Sequence, residues 1–461
     1  MLIENSNTKI HFIGIGGIGM SALAEVSLQL GFKVSGSDMA SSDNVEKLNK
    51  LGAHTFIGHA KENIIDVNVI VYSSAIDPDN PEFSYASENN IPIMKRAELL
   101  ADLMRLKQGI AIAGTHGKTT TTSIVTSILK ACDRDPTYII GGIVKNLGGH
   151  AFVGNGDHIV AEADESDGSF LLLNPVYSII TNVDNDHLDY YKTQENLHDS
   201  FETFANNIPF YGVCALNADN EVLKNICSRM KKPFVTFGID EDKLSVDYRA
   251  TDLMFEKSGV SFMLSYKDKE VDRFFISTPG KHNVLNTLGA ISICHSLGLS
   301  FNLIKNSLKS FTGVGRRYQR VFEEGDFQII DDYGHHPTEI IQTIKTARKD
   351  RPTSKLVVLF EPHRFTRTKA CWNEFLHSFN DADEVLMAPI YPASEKEISG
   401  ITSSNLTSDI NKLHPSLATS FDDWDIVVKK IEELRKENST LLVLGAGSIG
   451  RKVKSFVDSK Q

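Results

Sequence analysis

The chain has 461 residues, more than one hydrophobic core organises, and at roughly 150 residues per domain it should form about three. With 41% hydrophobic and 23% charged residues and no low-complexity tract, intrinsic disorder is excluded. A formal net charge of -11 without any Lys/Arg block argues against a nucleic-acid partner held through its phosphates, and no run of about 18 apolar residues marks a membrane span. The five cysteines (Cys132, Cys214, Cys227, Cys294, Cys371) never occur as CxxC, so neither a disulfide framework nor a zinc site is expected; most should be small buried apolar groups. Residues 1–19 lack a basic start followed by an apolar stretch and a cleavage site, so the expected compartment is the cytoplasm.

In chain order, residues 9–38 read as a strand, a glycine turn, an amphipathic helix (20–30) and a second strand (33–37), one βαβ unit. Strands at 68–73 and 91–94 continue the alternation, and the Leu and Met spacing of 96–107 predicts a connecting helix, with a boundary at 107. Strand 109–113 opens a second region, followed by strands 157–161, 177–182 and 212–217 with helical segments between them, as in parallel α/β folds. From 244 to 277 short alternating runs with turn residues (Lys257-Ser258-Gly259, Tyr266-Lys267-Asp268) predict an antiparallel insertion, and helical periodicity returns at 283–296. After Gly313-Val314-Gly315 come strands at 327–331, 355–360, 384–388 and 440–444 and a helix at 338–349. No repeat of roughly 20 to 50 residues recurs. The expected architecture is three consecutive α/β domains: Rossmann-like 1–107, a P-loop-type domain 108–314 carrying the small antiparallel insertion, and Rossmann-like 315–461.

The sharpest local signal is Gly114-Thr115-His116-Gly117-Lys118-Thr119-Thr120, between an apolar strand and a helical stretch (121–129). Glycines let backbone N–H groups close on phosphate oxygens, the helix start adds partial positive charge, Lys118 reaches the β- and γ-phosphates, and the Thr119 hydroxyl can ligate Mg2+. The loop is two residues shorter than GxxxxGK[ST], since position 112 is Ile112. Helix capping alone would also use GK[ST], but the strand context favours nucleotide binding.

Gly14-Ile15-Gly16-Gly17-Ile18-Gly19 satisfies GxGxxG after a strand, with Asp38 at the end of the next. Alone it reads as a dinucleotide dehydrogenase, yet the same geometry holds any diphosphate, including that of a nucleotide sugar, at a helix N-terminus. Tight strand–helix packing is the bland alternative. Gly445-Ala446-Gly447-Ser448-Ile449-Gly450 matches as well, but no strand follows it, and it reads as a packing turn.

Glu162-Ala163-Asp164-Glu165-Ser166-Asp167-Gly168-Ser169-Phe170 places four carboxylates at a strand's C-terminal end, which suits magnesium, with a solvated acidic loop as the alternative. Asn182-Val183-Asp184-Asn185-Asp186-His187-Leu188-Asp189 follows another strand and puts His187 beside the same edge. A lone histidine there is more often a hydrogen-bonding residue than a ligand.

GTHGKTT, EADESDGSF and NVDNDHLD, in this order and context, resemble the Mur ligase family. The resemblance runs on through Gly280-Lys281-His282-Asn283-Val284-Leu285-Asn286, Gly315-Arg316-Arg317, Asp331-Asp332-Tyr333-Gly334-His335-His336-Pro337 and Glu361-Pro362-His363-Arg364-Phe365-Thr366-Arg367-Thr368. It implies ATP bound by Gly114, Thr115, His116, Gly117, Lys118, Thr119, Thr120, His282, Asn283, Asn286, Arg316, Asp332 and His335. It implies Mg2+, one or two ions with Mn2+ as a substitute, held by Thr119, Glu162 and His187, and places Lys118, Glu162 and His187 in catalysis. A UDP-sugar diphosphate would meet Gly14, Gly16, Gly17, Ile18 and Gly19, with Asp38, Ser73 and Ser166 nearby.

EADESDGSF, DDYGHHP and EPHRFTRT together resemble the alanine-adding members of the family. That resemblance implies ATP-dependent, ADP-forming addition of L-alanine to the lactyl carboxylate of UDP-N-acetylmuramate through an acyl phosphate, the first step of the cell-wall stem peptide. Tyr333, His363, Arg364 and Arg367 would surround L-alanine, for which an arginine offers paired donors to the carboxylate. The expected partners are these small molecules, without nucleic acid or membrane, around a monomer or weak homodimer. The main alternative is a murein tripeptide recycling ligase; an NAD-dependent oxidoreductase resting on Gly14 to Gly19 would leave the phosphate loop unexplained, and a non-catalytic nucleotide-binding scaffold would not need Lys118, Glu162 and His187. The chain departs from sister members at Asp199-Ser200-Phe201-Glu202, where those adding later amino acids carry a lysine that becomes carbamylated, and at Ser448, where an acid is expected. Bringing residues of two domains onto ATP implies domain closure.

Overall fold

Strand β1 (Lys9–Ile13), with β2 (Lys33–Asp38), β3 (His54–Ile57), β4 (Val69–Tyr72) and β5 (Ile93–Lys95), forms a sheet ordered β3-β2-β1-β4-β5. Every neighbouring pair in it is parallel. The order reverses between β1 and β4, so the C-terminal ends of those two strands border the crevice where such sheets take ligands; Gly14 follows one and Ser73 the other. The computed structural model describes residues 7–73, 76–77, 79–144, 147, 149–239, 245–256, 259–393 and 395–459.

The helix Ile18–Gln29 is not amphipathic as its spacing suggests. Met20 to Ser27 are all buried, because the helix packs on β2 along one side and on the hairpin of β7 (Thr137–Val144) and β8 (Gly149–Phe152) along another. The sequence does not announce that hairpin, since its glycines and polar residues blur any alternation.

The second sheet adds β6 (Gln108–Ala113), β9 (His158–Glu162), β10 (Tyr177–Ile180), β11 (Val213–Asn217), β12 (Phe234–Gly238), β13 (Tyr248–Glu256), β14 (Gly259–Tyr266) and β15 (Lys269–Ile276), ordered β15-β14-β13-β12-β11-β10-β6-β9-β7-β8. Strand β6 lies between β9 and β10, parallel to both, in registers pairing Ile112 with Glu162 and Ala113 with Ile180. Three loops distant in sequence therefore leave the sheet side by side. The expected insertion is a continuation of this sheet, entered through the parallel pair β12 and β13. The turn from β14 to β15 uses Lys267 (φ 49°) and Asp268 (φ 61°), the two positive φ values of a type I′ hairpin. Of the other predicted turn, Lys257 and Ser258 lie outside the described residues.

The third sheet comprises β16 (Gln319–Glu324), β17 (Phe327–Asp332), β18 (Lys355–Phe360), β19 (Glu384–Met387), β20 (Ala418–Ser420) and β21 (Ser439–Leu444), ordered β16-β17-β21-β18-β19-β20. Only the pairing of β16 with β17 is antiparallel. The first two sheets, except for the part of β13 and β14 within Met254–Ser261, belong to one compact unit (Met1–Leu253, Phe262–Ile276, Asn283–Thr312) and the third to another (Met254–Ser261, Ser277–His282, Gly313–Gln461). The protein is thus α/β throughout, built on three parallel-rich sheets. Among the described residues no helix is long and apolar enough to cross a membrane. Of the cysteines, Cys214 and Cys294 are buried and the other three half-buried, all as free thiols, so burial is less general than expected.

Candidate active site

After β6 the chain turns through Gly114 (φ 130°) and Gly117 (φ 84°) into the helix Lys118–Ala131. A Cβ at Gly114 would lie 2.1 Å from Thr181 Oγ1, and one at Gly117 would lie 2.4 Å from Asn286 Oδ1. The segment after β10 shapes this loop. The Asn182 amide accepts from the His116 N–H and donates to the His116 carbonyl, both at 2.9 Å, and the Thr181 hydroxyl donates to that carbonyl at 2.6 Å. Thr115 Oγ1 accepts from the Asp184 N–H at 2.9 Å. The helix starts at Gly117 without a side-chain cap, so its first amides and its dipole are arranged for an anion. Thr120 is buried inside that first turn.

Lys118 Nζ donates to the Gly114 carbonyl at 2.6 Å and to both Glu165 oxygens at 2.8 and 2.7 Å. Burial depresses the ammonium's pKa, but the negative charges of Glu165, Asp164 and Glu162 outweigh it and hold the pKa above its ordinary value. Lys118 is therefore a fixed positive charge at the loop. His187 (φ 58°) sets Nε2 at 3.7 Å from Glu165 and 3.6 Å from Asp186. Glu162 accepts from the Thr119 hydroxyl at 3.1 Å and from the Gly141 N–H at 2.6 Å.

A hydroxyl and a carboxylate joined at a strand–helix junction are the hard oxygen donors Mg2+ prefers, so Thr119 and Glu162 fit that ion. The nitrogen of His187 is a less natural donor and rests here against Glu165. Asn286 is brought to the phosphate loop, and its amide donates to Asn283 Oδ1 at 3.4 Å.

In the first sheet, the N–H groups of Gly14 and Ile15 donate to the Ser37 carbonyl at 2.8 and 3.0 Å. The Gly16 N–H donates to Asp38 Oδ2 at 2.8 Å, and Asn44 donates to the Gly16 carbonyl at 2.9 Å. Asp38 thus shapes the glycine loop. The helix Ile18–Gln29 begins at Gly17, again with no side-chain cap, and Ile18 is half exposed. Ser166 lies in the acidic loop, where its N–H donates to Asp164 Oδ1 at 3.1 Å.

The second unit gathers its own cluster at the ends of β17, β18 and β21. Asp332 accepts from the Tyr318 N–H at 2.6 Å and from the Gly334 N–H at 2.8 Å. Arg316 donates to the Gly445 carbonyl at 2.5 Å and approaches Asp331 at 3.5 Å; burial, partly offset by Arg316, pushes Asp331 up to about 6. The guanidinium carbons of Arg316 and Arg317 each lie 5.1 Å from the Tyr333 ring centroid. His335 sits 5.4 Å from the Tyr333 ring and 5.8 Å from His363, which stacks on Tyr391 at 5.5 Å and lies 3.4 Å from an Arg367 nitrogen. Burial, aided by Arg367, lowers His335 to about 3 and His363 to about 4. Both rings are therefore neutral near pH 7, and Arg367 carries the charge. Arg364 (φ 69°) is exposed and contributes its backbone, the N–H donating to the Tyr391 carbonyl at 2.8 Å. His282 is also in this unit, its ring 2.6 Å from where a Cβ on Gly280 would lie.

The C-terminal glycine motif is a packing turn, as its sequence context suggests. Ser448 Oγ donates to Glu361 Oε1 at 2.8 Å and the Ile449 N–H to Oε2 at 3.2 Å, so the chain's own carboxylate occupies the start of the helix Ile449–Asp458. A Cβ on Gly447 would lie 2.3 Å from Glu361. The sequence singles out none of Glu165, Asn182, Thr181, Glu361 and Tyr391 for an individual role. The first four lie inside or beside the motifs quoted above, but pattern alone does not say which neighbour a side chain faces.

Three family profiles match the chain: "Mur ligase family, catalytic domain" over residues 9–129, "Mur ligase middle domain" over 112–294, and "Mur ligase, glutamate ligase domain" over 316–447. A relative named UDP-N-acetylmuramate-L-alanine ligase, from Geotalea uraniireducens, is 46% identical over 98% of this chain and 97% of its own length. The crystal structure of a UDP-N-acetylmuramate-alanine ligase from Thermotoga maritima superposes with a TM-score of 0.84 at 31% identity, covering 99% of each chain. A murein peptide ligase from Psychrobacter arcticus shares the fold, with a TM-score of 0.73 at 23% identity over 98% of each chain. With profiles matching from residue 9 to residue 447 and full-length relatives at this identity, the chain belongs to the Mur ligase family.

Proposed function

We propose that the protein joins L-alanine to the lactyl carboxylate of UDP-N-acetylmuramate, consuming ATP and releasing ADP and phosphate in the cytoplasm. The observation that carries this reading is the phosphate loop, where a charged Lys118 stands beside the Thr119–Glu162 pair. The names borne by full-length relatives such as that of Geotalea uraniireducens supply the substrates.

A carboxylate is a poor acyl electrophile. Its oxygen forms a bond to the γ-phosphorus as the bond to the bridging oxygen of ADP breaks, giving an acyl phosphate. The L-alanine amine then adds to the acyl carbon and loses a proton, and phosphate leaves with the former carboxylate oxygen. Two anions must meet for the first step. Lys118 and the N-terminus of the helix Lys118–Ala131 offset that repulsion, and Thr119 and Glu162 would hold Mg2+, which supplies further charge neutralisation at the phosphates. We assign His187 to orienting Glu165 and, through it, Lys118.

In the second unit, Arg367 would take the L-alanine carboxylate between Tyr333 and His363, whose neutral ring does not compete for it. We assign Asn283, Asn286, His282, Arg316, Asp332 and His335 to ATP, Gly14 to Gly19 with Asp38, Ser73 and Ser166 to the UDP-sugar, and the domain limits to residues 107 and 314. UDP-N-acetylmuramate labelled with 18O in its lactyl carboxylate tests the route: each phosphate released should carry one 18O. Unlabelled phosphate would overturn the acyl-phosphate step.

A further inference from the structure

Arg96 stands between two loops assigned to different substrates. It opens the helix Arg96–Met104 at the end of β5, and its guanidinium donates to Asp164 Oδ2 at 3.1 Å. The other side of the same group lies over Gly19: a Cβ there would be 3.3 Å from Arg96 Cδ and 3.4 Å from Nη1. Any side chain at position 19 would press on the guanidinium, so Gly19 keeps Arg96 against the uncapped start of the helix Ile18–Gln29.

Asp164 is a neighbour of Glu165, which holds Lys118, and of Glu162, which holds Thr119. The arginine has five N–H donors in a planar fork, more than one carboxylate contact employs.

We infer that Arg96 is shared between Asp164 and the diphosphate of the sugar nucleotide, binding that diphosphate with its remaining donors and so tying the occupied glycine loop to the acidic loop beside the ATP phosphates. The inference rests on the reading of Gly14 to Gly19 as the UDP-sugar site. Arg96 is then a substrate-binding residue, and Asp164 a positioning residue that acts through it.

The two partners should respond oppositely, which a merely structural ion pair does not. In Arg96→Ala, UDP-N-acetylmuramate should bind about 10- to 100-fold more weakly, as expected for loss of charge-assisted hydrogen bonds to phosphate. In Asp164→Asn, which releases the guanidinium from its competitor, it should bind as tightly as in the wild type or more tightly, while kcat falls because the acidic loop loses its tether. Arg96→Lys, which keeps the charge without the fork, should fall between.

Titration calorimetry of the full-length protein with UDP-N-acetylmuramate, alongside ADP as a control for an intact phosphate loop, reads these outcomes. Equal weakening in Arg96→Ala and Asp164→Asn, or unchanged affinity in Arg96→Ala with normal ADP binding, would overturn the inference. Absence of binding by the wild type would instead remove the UDP-sugar reading on which it stands.

Discussion

Lys118 and Glu165 form a bidentate ion pair, with the ammonium 2.7 and 2.8 Å from the two carboxylate oxygens and Glu165 only 1% exposed. If Lys118 takes the ATP phosphates as proposed, they would be alternative partners to Glu165 for one charge. Removing one member of a buried pair costs on the order of 3 kcal/mol because the other is left uncompensated. Glu165→Ala should lower the unfolding temperature of the free protein, and saturating Mg-ATP should recover much of the loss by supplying phosphate as the replacement partner. An equal deficit with and without Mg-ATP in a thermal melt would show that Lys118 does not meet the nucleotide. Lys118→Ala should abolish turnover while the fold, read by circular dichroism, persists.

Arg367 is the charged group beside His363, and the imidazoles of His363 and His335 are neutral. Arg367→Lys keeps the charge but loses the paired donors that match a carboxylate. Its KM for L-alanine should rise by about 10- to 100-fold with little change in KM for ATP, and Arg364→Lys, altering an exposed side chain, should change neither. Steady-state kinetics with each substrate varied in turn checks this.

His335 and His363 titrate at about 3 and about 4 in the folded chain, below the ordinary 6.5. Below pH 6.5 the unfolded chain takes up protons that these buried rings refuse, so the stability from keeping them neutral is complete above about 6.5 and declines as pH falls toward 4. Between pH 7.5 and 5.5 the loss should be about 1 to 2 kcal/mol, discounting for partial exposure. Urea unfolding at the two pH values measures it, and the double variant His335→Gln/His363→Gln should show a flatter dependence.

Glu361 caps the helix Ile449–Asp458 through Ser448 and Ile449. Glu361→Ala should cost about 1 to 2 kcal/mol of stability, as loss of a charged cap does. A denaturation midpoint unchanged from wild type would refute the capping role.

Much of the site was legible because a parallel sheet collects its ligands at strand ends. β6, β9 and β10 are neighbours, so the loops that begin at Gly114, at Glu162 and after Ile180 had to meet. Which carboxylate faces Lys118 was not legible. Glu162, Asp164 and Glu165 are chemically alike in a short loop, and only the backbone direction selects Glu165. Asn182 and Thr181 brace His116 through local hydrogen bonds that no spacing announces. The helix Ile18–Gln29 read as amphipathic because its serines and Glu25 look exposed in sequence, whereas Ser21, Glu25 and Ser27 are buried; Glu25 is paired there with Lys47 at 2.7 Å. The glycine motif at Gly445 to Gly450 was legible as a packing turn because no strand follows it, but the carboxylate of Glu361 at the start of its helix was not.

The most direct measurement is phosphate release by the purified protein with Mg-ATP and UDP-N-acetylmuramate, comparing L-alanine, glycine, L-serine and murein tripeptide as the amine. The account predicts release that depends on both the sugar nucleotide and L-alanine and is strongest with L-alanine. Release with tripeptide alone, or none with any amine, would contradict it.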